Sequence, residues 1–339
     1  MVGHLATINK NMLRERAKKL PEVTEEMWQQ VNQSYREIVE EFISVQNHSP
    51  ETKKQYTSGL KQFGWYIKDS MNNKPLHKIT KRDFLRYISY LRDNRKMSSS
   101  AMGLKKACVS SLCNYIENVI VGEEDYEEYK LFRNFTRGLP PIPKNKVYEK
   151  VKVTYDEYEE MMKVLENDGN YLGMAWLAVA FNVGARRSEI KQFKTEIADY
   201  HFPDDANFIY SHNVRLKGAG EDGKVEPYMI NREAMEYIKL WLEKREYDHE
   251  YIFTVKHMGK PVQMSSGWAD YFCTNVLSDI LGRRINPHLF KASCVTYLLE
   301  SGVKLELVSK YVAHHNDVST TISHYDLRDF EEEKNQIFG

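Results

Sequence analysis

Five short clusters in the second half of the chain hold residue types that act on charged oxygen. In chain order they are Gly184-Ala-Arg-Arg-Ser-Glu-Ile190, Lys217 ahead of a Gly-rich turn, Pro287-His-Leu-Phe-Lys291, Val312-Ala-His-His-Asn316 and Ser319-Thr-Thr-Ile-Ser-His-Tyr325. Chemistry at an anionic oxygen centre calls for a nucleophile, charge stabilisation and a proton donor. Tyrosine, arginine, lysine and histidine supply those functions. His314, His315 and His324 lie close together, but no carboxylate or thiol completes a zinc-ligand spacing, so no metal is expected. The chain has no P-loop to cradle a nucleotide, and no cofactor is expected.

Each residue also has a plainer reading. Tyr325 is one of 22 tyrosines, and its weight comes from following Ser319-Thr-Thr and adjoining His324. Arg215 and Lys224 compete with Lys217 for the role of a hairpin cation. Arg187 reads as a surface or backbone-positioning cation, and His315 as a surface residue.

The ordered set resembles the tyrosine recombinase (phage integrase) family. There, a G-x-R-x-S-E segment, a hairpin lysine, an H-x-x-R helix, an L-G-H segment and an S-T-T…Y segment occur in this order. The resemblance covers about 175–330 well and reaches most of 49–330. It implies that Tyr325 is the nucleophile of a 3′-phosphotyrosyl link and that Arg186 holds the phosphate through its planar fork. Glu189 would orient neighbouring groups, Lys217 would be the general acid, and His288 and His314 would bond the phosphate or assist proton transfer. Where the family has the arginine of H-x-x-R, this chain has Lys291, which keeps a charge but loses the bidentate fork. Losing one preorganised donor costs about 3–4 kcal/mol in the transition state. Ala313 stands where the family has the glycine of L-G-H.

The elements that must position these residues are mostly helical. Residues 22–46 read as one amphipathic helix, with Met27, Val31, Ile38 and Phe42 near helical spacing. Ser49-Pro50, Thr80 and Ser98–Ser100 each precede a further helical pattern, so 49–138 is expected to be an all-α DNA-binding domain behind an N-terminal extension, 1–48. Three prolines between Leu139 and Pro143 mark a linker over 139–150. In 151–339, Thr154 opens a helix and 171–183 is apolar. Phe208-Ile-Tyr, Val214-Arg-Leu and Val225–Ile230 read as short strands around a Gly-rich turn, and helices resume at 232–245, 266–282, 288–301 and 304–312. The expected fold is mainly α with a small β-sheet or hairpin in the C-terminal domain. By the resemblance it is a two-domain, C-shaped DNA clamp.

Composition limits the partners. The 339 residues carry 48 basic and 48 acidic side chains, a balance that hides a strong asymmetry. Residues 49–120 hold 14 basic against 5 acidic groups, whereas 151–339 hold 22 against 30. The basic segment suggests double-stranded DNA as partner, gripped by Lys53, Lys54, Arg82, Arg86, Arg92, Arg95, Lys105 and Lys106, with self-association on DNA as a further expectation. No apolar run approaches the roughly 18 residues of a membrane span and no signal core opens the chain, so no membrane partner and a bacterial cytoplasmic location are expected. The four cysteines form no C-x-x-C pair and are expected as buried free thiols. Two functions fit. Narrowly preferred is a recombination-impaired DNA-binding regulator of phage-repressor type; the alternative is an active site-specific recombinase.

Overall fold

The computed structural model describes residues 22–143, 151–217 and 223–328. They form two compact units, the first ending before residue 150 and the second following it. The expected linker is thus described only to Pro143, where Leu139 and Ile142 pack on the first core; its remainder, 144–150, lies outside the described residues.

In the first unit the helices are α1 (Glu25–Gln29), α2 (Gln33–Val45), α3 (Pro50–Ser70), α4 (Lys81–Ser89) and α5 (Ser99–Tyr115). Their starts follow local rules. Ser49 caps α3 with Pro50 in its first turn, Thr80 and Asp83 make a reciprocal capping box on α4, and Ser98 caps α5.

Two expectations change here. Residues 22–46 are two helices, because the Asn32 side chain accepts the Tyr35 amide and starts a new helix. They are also no mere extension. Trp28, Val31, Tyr35, Ile38, Val39 and Phe42 are buried in the same core as Leu60, Phe63, Phe84 and Leu112. Tyr35 donates its hydroxyl to the Leu60 carbonyl at 2.8 Å. A Cβ on Gly64 would stand 2.5 Å from the Tyr35 ring, so α2 and α3 meet at a contact only glycine allows. Each buried large side chain contributes roughly 1.5–3 kcal/mol, so the first unit depends on this segment.

The second unit is built on α6 (Tyr155–Asn167), α7 (Tyr171–Asn182), α8 (Arg187–Ile190), α9 (Arg232–Lys244), α10 (Ser266–Tyr271), α11 (Ser278–Leu281), α12 (Pro287–Glu300), α13 (Leu305–Leu307) and α14 (Val318–His324). Every α7 residue from Gly173 to Phe181 is buried, which makes it the central helix. That explains its apolar composition without helical periodicity. The strands form three antiparallel ribbons among the described residues. β1 (Phe208–Tyr210) pairs with β4 (Met229–Asn231), and β2 (Val214–Arg215) pairs with β3 (Val225–Glu226). The third, β5 (Thr254–His257) with β6 (Lys260–Gln263), was not anticipated; its turn holds Met258-Gly259, both with positive φ. The tip of the β2–β3 hairpin, 218–222, lies outside the described residues.

Gly184 joins α7 to α8 with φ +67°, and a Cβ there would meet the Cys294 Sγ of α12 at 3.0 Å. Gly184→Ala therefore adds left-handed strain to a steric conflict at the head of the Arg186 turn. The expected loss is about 2 kcal/mol or more, read as a lower urea midpoint.

Candidate active site

Three elements of the second unit converge: the turn into α8, strand β3 with Tyr228 beyond it, and the segment from α13 through α14. Arg186 is the residue before α8. Its backbone N–H donates to Glu189 Oε2 at 2.7 Å, and its Nη1 donates to Oε1 at 3.0 Å. The fully buried Glu189 also accepts the Tyr228 hydroxyl. Burial opposes the Glu189 charge, but Lys291, Arg186 and the Tyr228 bond outweigh it and hold the carboxyl below its ordinary range. One carboxylate thus caps the turn and orients the guanidinium.

The second guanidinium nitrogen, Nη2, lies 3.2 Å from His315 Nε2. A guanidinium only donates, so Nε2 is the acceptor and Nδ1 carries the proton. Nδ1 then donates to Thr321 Oγ1 at 2.8 Å, and the Thr321 hydroxyl donates in turn to Ser309 Oγ at 2.8 Å. Burial and the neighbouring Lys291 and Arg186 cations push the His315 imidazole down to about 4, in agreement with a neutral ring. The His315 and Tyr325 ring centroids are 4.6 Å apart. Tyr325 follows α14, and the buried Thr296 on α12 pins it from below. Thr296 Oγ1 is 3.1 Å from the Tyr325 carbonyl and accepts the Leu327 N–H at 3.0 Å.

His315 is therefore not the surface residue expected from sequence. It is half-buried, with Arg186 on one side and Tyr325 against its ring. His314, expected at the phosphate, is buried and turned to the other side, where Nδ1 meets Glu226 Oε2 at 2.6 Å and the ring stands edge-on to Tyr228 at 4.5 Å. The backbone explains the exchange. The π-helical turn Val308–Val312 ends at Ala313, and His314 follows with φ +54°, the left-handed position at which helices commonly place glycine. The glycine of an L-G-H pattern thus corresponds in conformation to His314, and its histidine to His315.

Lys291 also departs from expectation. Its side chain is 0% exposed, with Nζ 3.4 Å from the Val312 carbonyl and 6.0 Å from the centroid of the Tyr228 ring. Burial first, and then the Arg186 charge, bring this ammonium down to about 7. It lies beneath the site and is no second surface clamp. Lys217 is exposed beside the hairpin tip, and His288 is exposed in the first turn of α12. Arg187 pairs with Asp270. Tyr228, Glu226 and Thr321 were not among the expected site residues. Only Thr321, inside Ser-Thr-Thr, stood in a segment the motif had marked.

The eight basic residues expected at DNA lie on α3, on and just after α4, and on α5. Lys53 and Lys54 lie in the first turns of α3, Arg82 and Arg86 on the exposed face of α4, Arg92 and Arg95 just after it, and Lys105 and Lys106 on α5. Asp93 takes both arms of Arg92, and Asp83 lies 3.5 Å from Arg86. Those two cations are partly neutralised at home. Burial lowers Lys105, whose stem packs near Gly59.

A model of the phage integrase family matches residues 152–332, more than half of the chain. The chain belongs to that family. A second model, the N-terminal SAM-like domain of phage integrases, matches residues 35–122 and so begins inside α2. Among similar proteins is the SPbeta prophage-derived recombinase-like protein YomM of Bacillus subtilis (strain 168), 65% identical over 332 residues and covering 98% of each chain. Tyrosine recombinase XerD of Halalkalibacterium halodurans is 23% identical, across 80% of this chain and 86% of its own. Two solved structures share the fold. XerH recombinase bound to its palindromic difH substrate has a TM-score of 0.65 at 14% identity, covering 95% of this chain and 99% of its own. A lambda integrase dimer bound to a COC′ core site has a TM-score of 0.64 at 14% identity, covering 88% and 97%. Among the described residues, no helix is long and apolar enough to cross a membrane, and no cluster of metal-binding side chains occurs.

Proposed function

We propose that this integrase-family chain binds a specific double-stranded DNA site and cleaves one strand there through Tyr325, as a site-specific recombinase. The observation that carries this reading is the meeting of Tyr325, His315 and Arg186 at one place. The Tyr325 oxygen attacks phosphorus and gives up its proton to solvent, the bond to the 5′-oxygen breaks, and a 3′-phosphotyrosyl link conserves the bond energy for rejoining. Arg186, held by Glu189, stabilises the charge on the phosphate oxygens. In place of His314, His315 holds Arg186 and stands against the Tyr325 ring. Lys217 protonates the leaving 5′-oxygen, and His288 assists from the start of α12. With Lys291 buried, the transition state has one guanidinium clamp instead of two, and cleavage is about a hundred- to thousand-fold slower than at a two-arginine site.

The test is a nicked suicide duplex carrying the chain's own binding site, scored for covalent adduct on a denaturing gel. Adduct formation supports the reading and its absence refutes it. A second reading, a regulator that occupies DNA without cutting, is favoured by one observation, the complete burial of the Lys291 ammonium. It predicts specific binding with no adduct.

Both readings require a grip on phosphates. The exposed Arg82, with Lys53 and Lys54, supplies it in the first unit, and two copies on one DNA site remain part of the reading. Reversing Arg82 and Lys54 to glutamate should weaken binding more than tenfold and flatten its dependence on salt, because fewer counterions are released. Fluorescence anisotropy at two salt concentrations measures both. Unchanged affinity would place the grip elsewhere.

A further inference from the structure

We propose that Glu226 is a positioning residue for strand cleavage, which fastens the β2–β3 hairpin bearing Lys217 to the turn bearing His315. The inference rests on the cleavage reading above. Glu226 is on β3 opposite Val214, and Lys217 follows three residues after Val214. The ribbon is short. It has two paired positions on each strand, extended by the Leu216 N–H bond to the Lys224 carbonyl at 2.7 Å. An isolated two-stranded ribbon is marginally stable in water, so this ladder alone does not hold Lys217 in register with the rest of the site.

Glu226 supplies the missing tie. Oε2 accepts His314 Nδ1 at 2.6 Å, and Oε1 meets Lys224 Nζ at 2.6 Å. Lys224 Nζ in turn lies 3.4 Å from Asn316 Oδ1, so the hairpin grips the turn on both sides of His315. The cost of the arrangement is visible in the backbone. His314 holds φ +54°, which an L-residue with a Cβ adopts only at a cost of about 1–2 kcal/mol. Its Nε2 is buried without a hydrogen-bond partner. A glycine would avoid both. Strain and an unsatisfied nitrogen persist where surrounding contacts over-determine them, and here those contacts are the Glu226 bond and the Tyr228 ring. The tie holds His315 against Arg186 without itself touching DNA.

The experiment compares the full chain with Glu226→Ala, Glu226→Gln, His314→Gly and the Glu226→Ala/His314→Gly double variant. Three quantities are read: duplex affinity, single-turnover adduct formation on the suicide duplex, and amide exchange at residues 313–317 without DNA. Glu226→Ala should slow adduct formation about ten- to a hundred-fold, as misplacement by about 1 Å does, with affinity within about twofold. Exchange at 313–317 should quicken. Glu226→Gln, which keeps an acceptor for His314 but not the Lys224 ion pair, should recover part of both losses. The double variant should be no slower than the worse single variant, because both remove one tie. His314→Gly relieves the left-handed strain, so its thermal midpoint should stay within a few degrees. Wild-type cleavage or unchanged exchange in Glu226→Ala would overturn the proposal, as would losses that multiply in the double variant. If the unmodified chain forms no adduct, the cleavage reading fails, and positioning for cleavage fails with it. The tie between hairpin and turn is then judged by exchange alone, where an unchanged Glu226→Ala profile refutes it and a quickened profile rescued by Glu226→Gln supports it.

Discussion

Tyr325→Phe is expected to abolish covalent adduct on a nicked duplex, a loss on the order of ten-thousand-fold or more, while DNA affinity stays within about twofold. The change deletes one oxygen. The ring keeps its place beside His315 and against the small core of Val295, Leu299, Val308 and Ala313. The Thr296 contact to the carbonyl of residue 325 also survives, because it involves backbone. Affinity is spread over many phosphate contacts, whereas the covalent step has a single nucleophile. A phenylalanine variant that still formed adduct would show that another residue attacks. A large loss of affinity would mean that the phenol is a binding group.

Lys291→Met should make the protein more stable at neutral pH and below, and should flatten its stability profile at alkaline pH. In the folded chain the Lys291 ammonium is brought down to about 7 by burial and by Arg186. In the unfolded chain it titrates near the usual lysine value of about 10.4. Between those limits the unfolded state binds more protons, so the stability of the unmodified protein rises with pH across that window and levels off above it. Below about pH 7 both states are protonated and the full penalty of the buried charge applies, on the order of several kcal/mol. Methionine fills a similar volume without the charge, and Glu189 keeps Arg186 and Tyr228 as partners. Urea unfolding at pH 6, 7.5 and 9 should therefore show a gain of about 2–4 kcal/mol at pH 6 that shrinks as pH rises. A methionine variant less stable at every pH would mean that the ammonium is a needed partner of Glu189. If adduct formation fell at the same time by a hundredfold or more, Lys291 would have to act on the phosphate despite its burial.

Much of this chain was legible because its signals act over three or four residues. Thr80 with Asp83 and Thr154 with Glu157 start helices where a side chain and a nearby amide satisfy each other, and the structure has both capping boxes. Gly184, Arg186 and Glu189 make one turn whose spacing alone brings the carboxylate onto the guanidinium. The strand segments around residues 208–230 were readable for the same reason, as short apolar runs around a Gly-rich turn. Tertiary structure decided the rest. Whether α1 and α2 form an appendage or a wall of the first core depends on Gly64 leaving room for Tyr35 across two helices. Whether residue 291 meets phosphate or interior depends on Val312 and Tyr228, which close over it from distant parts of the chain. Two adjacent histidines look alike in sequence. The left-handed turn at 314 sends His315 to Arg186 and His314 to Glu226, and a backbone angle set by the packing of a π-helical turn has no signature in residue spacing.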